Sequence, residues 1–159
     1  MRVLGVDPGY DRVGIAVMEY ENGIEKLLFS TCIETNKDDH LHLRLQQVGN
    51  TISKTIEEHG VDTLAIETLF FNKNVKTAMS VAESRGIIIF SALESNCKIY
   101  EFSPQAIKIA TTGYGNSDKH AVMAMVKQLI LNVPTDALDD EYDAIAVGIT
   151  CLAHHGRSI

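Results

Sequence analysis

The sequence has no hydrophobic run that approaches the length of a membrane span, and its first residues lack the basic start and apolar core of a signal peptide. Cysteine is also scarce: Cys32, Cys97 and Cys151 are odd in number, far apart, and fit no C-x-x-C pattern. We therefore expect reduced, buried thiols in a cytoplasmic protein without a membrane partner. The 159 residues suffice for a single domain, covering 1–159, with a substantial core.

The chain also lacks the usual equipment of nucleophilic and zinc chemistry. No Ser–His or Cys–His pair stands at convincing positions, and the six histidines show no ligand spacing. Acidic residues outnumber basic ones, and the resulting net charge of −7 argues against a polyanionic partner. The distribution of charge weakens that argument, since five cations lie in the middle of the chain: Lys73, Lys76, Arg85, Lys108 and Lys119.

The apolar patterns predict an α/β domain. Three strands open it as an antiparallel sheet, and Asn22-Gly23 supplies the turn between the second and third. Two further strands alternate with helices, which predicts a five-stranded mixed sheet covered by helices on both faces. The expected strands are 2–7, 13–20, 24–34, 61–66 and 98–102. The expected helices are 39–59, 74–95, one opened by Ser103-Pro104, 119–131 and 139–154.

Two acids close apolar strands. Asp7 ends MRVLGVD and precedes Pro8-Gly9, so it is either part of a strand-ending turn or a side chain at the mouth of the sheet. Glu67 ends VDTLAIE among apolar neighbours, where a lone carboxylate is strongly disfavoured, so it belongs either to an ion pair or to a metal site. Gly14, on the strand after Asp7, indicates a close approach to the backbone.

Two more acids, Asp140 and Asp143, stand at the opening of the last helix. Acids at a helix start are favoured by capping and by the helix dipole, which on its own makes a structural role the better interpretation. Their spacing, however, puts both on one helix face, which continues through Val147 to the apolar side that packs on the sheet. Asp139 and Glu141 are expected to face solvent. Carboxylates from three segments at one place would select a hard cation such as Mg²⁺ or Mn²⁺.

Several other residues are candidates for contacts with nucleic acid. Two adjacent aromatics in an extended segment cannot both point inward, so Phe70 is a candidate base-stacking wedge. Asn72 and Asn74 are read first as helix caps. Lys108 and Lys119 are candidate phosphate contacts, although most surface lysines are simply solvated.

The chain resembles the RuvC-type Holliday-junction resolvases along essentially its whole length. The resemblance lies in four motifs in order: LGVDPGYDRVGIAV, AIETLFFNKNVKTAMSVAESRGI, YEFSPQAIKIATTGYGNSDKHAV and ALDDEYDAIAVGIT. It departs from the family pattern at Tyr10-Asp11, where small or basic residues are more common. Asp11 either disturbs the approach of a phosphate or lies outside the site.

The resemblance implies a ribonuclease-H-like fold and a homodimeric endodeoxyribonuclease that resolves four-way DNA junctions by paired nicks during recombination and repair. It implies Mg²⁺ as cofactor, two ions per active site, with Mn²⁺ able to substitute. The implied metal ligands are Asp7, Glu67, Asp140 and Asp143. The implied DNA contacts are Phe70, Lys108 and Lys119. Asn72 and Asn74, beside Phe70, are further candidate DNA contacts. The branch-migration proteins of the RuvA and RuvB families are the expected protein partners.

Two alternatives stay open. One is a ribonuclease-H-like nuclease that acts on another branched nucleic acid, and the other is a junction-binding module without catalysis. For the dimer, the helix 74–95 is the expected interface, because apolar or small residues cover more than one of its faces. The alternative is a helix buried within a single chain.

Overall fold

The fold is one five-stranded mixed sheet with helices on both faces, in a computed structural model that describes residues 1–69 and 75–156. The α/β prediction is therefore confirmed. The strands are β1 (Arg2–Asp7), β2 (Arg12–Glu21), β3 (Ile24–Glu34), β4 (Thr63–Glu67) and β5 (Lys98–Phe102). The helices are α1 (Leu41–His59), α2 (Val75–Glu94), α3 (Pro104–Thr112), α4 (Lys119–Leu129) and α5 (Asp139–Cys151), followed by a π-helical turn, Leu152–Gly156.

The strand order, β3-β2-β1-β4-β5, puts β1 at the centre of the sheet, between β2 and β4. β1 pairs antiparallel with β2, and it pairs parallel with β4, which in turn pairs parallel with β5. Parallel strands end at the same edge of a sheet, so Asp7 and Glu67, the last residues of β1 and β4, lie at one edge. The fourth strand begins two residues later than expected and includes Glu67 itself.

Each face of the sheet carries its own apolar core. One core joins Leu4, Val6, Leu64 and Ile66 of the strands to α1 and α2. The other joins Val3 and Ala65, which alternate with those residues, to α3, α4 and α5. Because side chains on a strand alternate between faces, the odd-numbered residues of β1 and β4 face α5. Asp7 and Glu67 are therefore on the α5 face.

Turn and cap residues stand where the sequence places them. Asn22 and Gly23 both have positive φ, 53° and 81°, as the two-residue hairpin between β2 and β3 requires. Gly60 ends α1 in the left-handed conformation. The Ser103 hydroxyl accepts a hydrogen bond from the Ala106 amide at 3.1 Å and caps α3.

The helix α5 lies unusually close to the sheet. A Cβ atom on Gly5 would sit 2.3 Å from the Ala144 carbonyl oxygen, and one on Gly14 would sit 1.8 Å from the Asp140 carbonyl oxygen. On the helix side, a Cβ on Gly148 would meet Met18 at 2.6 Å. Glycine at these positions is what lets the first turns of α5 approach β1 and β2. The close approach expected at Gly14 is confirmed, and the approaching backbone is that of Asp140.

The helix α2 has one buried face and one exposed apolar face. Ile88 and Ala92 are buried in the core shared with α1, whereas Met79, Phe90 and Leu93 are 71%, 60% and 55% exposed. The last three recur along one side of the helix. Within the described part of the chain, no helix is long and apolar enough to cross a membrane.

Candidate active site

The four acids singled out in the sequence come from three elements that meet at one edge of the sheet. Asp7 pairs with Gly14 in the β1–β2 register, and Val6 is level with Ile66, so Asp7 and Glu67 end neighbouring strands on the same face. The backbone of Asp140 lies directly on Gly14. Asp140 therefore lies above β2, beside Asp7, and Asp143 follows one turn along α5.

The electrostatics show that these carboxylates interact. Burial and the charges of Asp143, Glu67 and Asp140 raise the pKa of Asp7 to about 8. Burial and the charge of Asp143 raise the pKa of Glu67 to about 7, against the opposing effect of Lys108. Burial also raises the pKa of Asp143. The cluster is therefore short of positive charge, which is the condition under which carboxylates attract a cation.

Two cations of the chain partly neutralise the cluster. An Arg12 guanidinium nitrogen lies 3.0 Å from the Asp140 carboxylate, and the Lys119 ammonium lies 3.1 Å from that of Asp143. Burial lowers the pKa of Lys119, but its hydrogen bond to Asp143 and the charges of Asp143 and Asp139 outweigh this and raise it. Within residues 1–69 and 75–156, no three His, Cys, Asp or Glu side chains converge as a ready set of metal ligands.

A cavity of about 210 Å³ opens beside the cluster. Glu67 and Asp143 line it together with both predicted lysines, Lys108 and Lys119. Lys108 projects from α3 and Lys119 begins α4, whose first turn is capped by the Asp118 carboxylate through the Ala121 amide at 2.8 Å. The lysines thus share one opening with the acids, which suits a ligand that carries negative charge.

The neighbours of Asp140 divide between solvent and core. The Asp139 side chain is 59% exposed, as expected, with Lys119 3.5 Å away. The expectation for Glu141 is wrong, because this residue is buried. One of its carboxylate oxygens accepts from the Ser30 hydroxyl at 2.8 Å, and the other accepts from the Leu138 amide at 3.1 Å. Glu141 therefore ties the start of α5 to β3 and satisfies an amide that the helix leaves unpaired.

Asp11 is engaged on the side of the sheet that carries α1. Its carboxylate forms an ion pair with Arg44, whose guanidinium also lies 4.8 Å from the centre of the Tyr10 ring. Arg44 donates to the Thr35 hydroxyl as well, at 2.9 Å. Tyr10 and Asp11, at which the first motif departs from the family pattern, therefore both contact Arg44 of α1.

Arg12 and Cys32 lie beside Asp140, and Arg85 contacts Glu67 from the opposite face of the sheet, but none of the three was given a role in the site on sequence grounds. Arg12 and Gly14 lie two residues apart on β2 and so face the same side of the sheet. The register of the first hairpin could therefore have placed Arg12 near Asp140. The Cys32 sulfur lies 4.0 Å from the Asp140 carboxylate, and burial raises the pKa of this thiol to about 11, so it is a neutral thiol. Arg85 contacts the main chain of Glu67, which sequence alone does not reveal. Phe70, Asn72 and Asn74 lie outside the described residues.

A mixed sheet of this order, with helices on both faces, defines a ribonuclease-H-like domain, and comparisons with known proteins narrow it further. The family model described as crossover junction endodeoxyribonuclease RuvC matches residues 3–151. The chain belongs to the RuvC family of crossover junction endodeoxyribonucleases.

Individual relatives are similar in sequence along nearly the full length of this chain. The RuvC of Finegoldia magna is 41% identical over 149 residues, which cover 94% of this chain and 91% of the relative. That of Thermosipho melanesiensis is 39% identical over 157 residues and covers 99% of both chains. Among solved structures, Thermus thermophilus RuvC in complex with Holliday junction substrate has a TM-score of 0.90 at 23% identity, covering 99% of this chain and 95% of the other. The structural likeness confirms the ribonuclease-H-like fold.

Proposed function

We propose that this chain resolves four-way DNA junctions by metal-dependent, paired nicks in strands of like polarity, in recombination and repair. The observation that carries the proposal is the cavity at the edge of the sheet, which is lined by two of the acids and both lysines: Glu67, Asp143, Lys108 and Lys119. Interacting carboxylates and the two lysines face the same cavity, so a cation and a phosphate can be held side by side. Membership of the RuvC family supplies the substrate class.

The carboxylates fit a hard divalent cation. All four candidate ligands, Asp7, Glu67, Asp140 and Asp143, offer oxygen atoms, which Mg²⁺ and Mn²⁺ prefer. Burial and the neighbouring carboxylates raise the pKa values of Asp7 and Glu67, as expected where buried carboxylates are only partly neutralised. A cation held there would compete with Arg12 for Asp140 and with Lys119 for Asp143. Bound metal ions, two per site, would supply an activated water and stabilise the leaving oxygen.

The lysines and the segment after β4 are assigned to DNA. Lys108 and Lys119 line the opening from α3 and α4, where they can neutralise phosphates on either side of the cut. Phe70 follows Glu67 by three residues and is assigned the stacking role at the branch point. Asn72 and Asn74 are assigned to polar contacts next to it. The assignments of Phe70, Lys108 and Lys119 agree with the family resemblance.

The active form is proposed to be a homodimer joined through α2. The exposed stripe of Met79, Phe90 and Leu93 lies on the side of α2 opposite its buried face. An exposed apolar stripe of this kind is costly in water and is covered when a second copy packs against it. A two-fold axis there would place two sites symmetrically, which suits symmetric strands of a four-way junction. Proteins of the RuvA and RuvB families are the proposed partners at the junction.

One experiment separates this function from its alternatives. The purified protein is incubated with Mg²⁺ and either a four-way junction or a linear duplex of the same sequence. Cleavage of the junction at paired, symmetric positions, with little cutting of the duplex, is the expected result. Equal cutting of both substrates, or of branched RNA in preference to the DNA junction, would favour the other nuclease. Tight junction binding without any cleavage would favour a binding module.

A further inference from the structure

A half-buried arginine behind the site, Arg85, takes no part in the function proposed above. Arg85 projects from α2 toward the end of β4, on the face of the sheet opposite the carboxylates. Its Nε atom donates a hydrogen bond to the backbone carbonyl of Glu67 at 3.3 Å. A second guanidinium nitrogen forms an ion pair with the Glu101 carboxylate. The Arg85 side chain is 19% exposed and the Glu101 side chain is 51% exposed, so the hydrogen bond to the Glu67 carbonyl is the more sheltered of the two contacts.

The contacts of Arg85 join three elements at one point. Glu101 is level with Ile66 in the register between β4 and β5, and the Thr68 amide donates to the Phe102 carbonyl at 2.9 Å. The register between β4 and β5 runs as far as Glu67 and Phe102. Arg85 therefore fixes the main chain of Glu67 from the α2 side of the sheet. The Glu67 side chain points to the carboxylate cluster on the other face.

We propose that Arg85 is a positioning residue for Glu67: its guanidinium fork fixes the main chain at the end of β4 and thereby aims the carboxylate into the cation site. The inference rests on the proposed function, because it takes Glu67 as a metal ligand. An arginine suits this role because its planar fork can donate to a carbonyl and a carboxylate at once, with a fixed angle between them. A lysine offers one flexible point charge in its place.

Charge and positioning predict opposite effects of removing Arg85. If Arg85 acted only through its positive charge, its removal would strengthen the binding of a cation nearby. If it positions Glu67, its removal weakens cation binding, and supporting residues of this kind typically contribute about 10–100-fold in metal affinity. The sign of the change therefore separates the two roles.

The test measures Mn²⁺ affinity by calorimetry and by electron paramagnetic resonance, with the full chain and without DNA. Arg85→Ala is expected to weaken Mn²⁺ binding by about tenfold or more, and Arg85→Lys is expected to fall between Arg85→Ala and the unaltered protein. The matched control is Arg2→Ala, which also removes an arginine that joins a backbone carbonyl, that of His59, to a carboxylate, that of Glu19, but at the opposite edge of the sheet. Arg2→Ala is expected to bind Mn²⁺ like the unaltered protein.

One further variant tells the proposed metal site apart from the proposed role of Arg85. Glu67→Gln removes the proposed ligand itself, and an unchanged Mn²⁺ affinity for this variant would contradict the metal site. The role of Arg85 alone would be overturned if Glu67→Gln binds Mn²⁺ more weakly while Arg85→Ala binds it as tightly as Arg2→Ala does. An Arg85→Ala variant that binds Mn²⁺ more tightly than the unaltered protein would have the same consequence. An Arg85→Lys variant indistinguishable from the unaltered protein would also overturn it, because charge without the fork would then suffice. Circular dichroism restricts the comparison to variants that keep the native fold, and Arg85→Lys preserves the test if Arg85→Ala does not fold.

Discussion

Three of the four carboxylates at the edge of the sheet hold protons more tightly than isolated carboxylates do. For Asp7 the pKa rises from 3.8 to about 8, and for Glu67 it rises from 4.5 to about 7. In both cases burial is the largest cause, and a neighbouring carboxylate adds to it. Without a cation, the folded chain therefore binds more protons near neutral pH than the unfolded chain does.

This proton uptake makes the stability of the metal-free protein depend on pH. Between the unfolded and folded pKa values of Asp7, roughly pH 4 to pH 8, the unfolded state releases a proton that the folded state keeps. The free energy of unfolding therefore falls as pH rises through this window, and the loss is complete above about pH 8. Asp7→Asn removes the titrating group. The Tm of this variant is therefore expected to rise relative to that of the unaltered protein as pH increases.

The measurement is thermal unfolding in chelator-treated buffer at about pH 5 and about pH 8.5. At this chain length, each kcal/mol shifts Tm by about 2–4 °C. Mg²⁺ is expected to remove much of the difference at the higher pH, because it supplies the missing counter-charge to the unaltered protein. A Tm difference that is the same at both pH values would contradict the assignment of the raised pKa to Asp7.

At the residue scale, the sequence predicted positions better than partners. Asp7 and Glu67 could be recognised as acids that end apolar strands, whereas their meeting at one edge depends on the parallel pairing of β1 with β4, which the structure supplies. Glu141 could not be predicted as buried, because its partner, the Ser30 hydroxyl, is 111 residues away in the chain. The same holds for Arg12 with Asp140, since that ion pair depends on how closely α5 approaches β2.

At the scale of elements, the approach of α5 to the sheet decides where two of the four acids lie. The backbone of Asp140 occupies the space that a side chain on residue 14 would need. The apolar positions Val147 and Cys151 on the same helix face are buried, as their spacing with Asp143 predicted. The helix bounds could be predicted to within a few residues, whereas the depth of the contact depends on glycines of three elements.

Gly14→Ala is expected to destabilise the fold and to impair the site together. The added Cβ would lie 1.8 Å from the Asp140 carbonyl oxygen and 2.4 Å from its carbon, both backbone atoms that cannot turn aside. Such overpacking costs roughly 1–3 kcal/mol and pushes the start of α5 outward. Denaturant unfolding and Mn²⁺ affinity measure the two effects.

The control for this variant is Gly156→Ala, where the nearest atoms to a new Cβ are 3.4 Å away on the Tyr20 side chain. That variant is expected to keep the Mn²⁺ affinity of the unaltered protein. A Gly14→Ala protein with unchanged stability and unchanged Mn²⁺ affinity would show that the tight contact of α5 with β2 does not set the geometry of the site.

At the scale of the whole molecule, the exposed stripe on α2 is the feature that a single chain leaves unexplained. The sequence indicated that α2 carries more apolar surface than one sheet can cover, but it could not tell Ile88 from Phe90. In the fold, Ile88 is fully buried under α1 and Phe90 is exposed. A charge at position 88 therefore tests folding, and a charge at position 90 tests association.

Phe90→Glu is expected to yield a folded monomer. Sedimentation at micromolar concentration should give twice 17.5 kDa for the unaltered protein and 17.5 kDa for this variant. Ile88→Glu is expected to unfold, because it buries a charge in the core. Leu131→Glu, at an apolar residue that is exposed beyond the end of α4, serves as the control and should stay dimeric. A monomeric unaltered protein that still makes coordinated paired nicks would contradict the dimer.

If the carboxylates at the edge of the sheet bind the metal that cuts the junction, losing one of them should abolish cleavage. The most direct measurement compares Asp7→Asn with Asp139→Asn, using gel-shift binding and Mg²⁺-dependent cleavage of the same four-way junction. Asp7→Asn keeps the shape of the side chain but removes a charged ligand, so cleavage should be lost while binding stays close to that of the unaltered protein. Asp139→Asn, whose side chain is exposed, should cleave normally. An Asp139→Asn variant as inactive as Asp7→Asn, or an Asp7→Asn variant that still cuts the junction, would contradict the account.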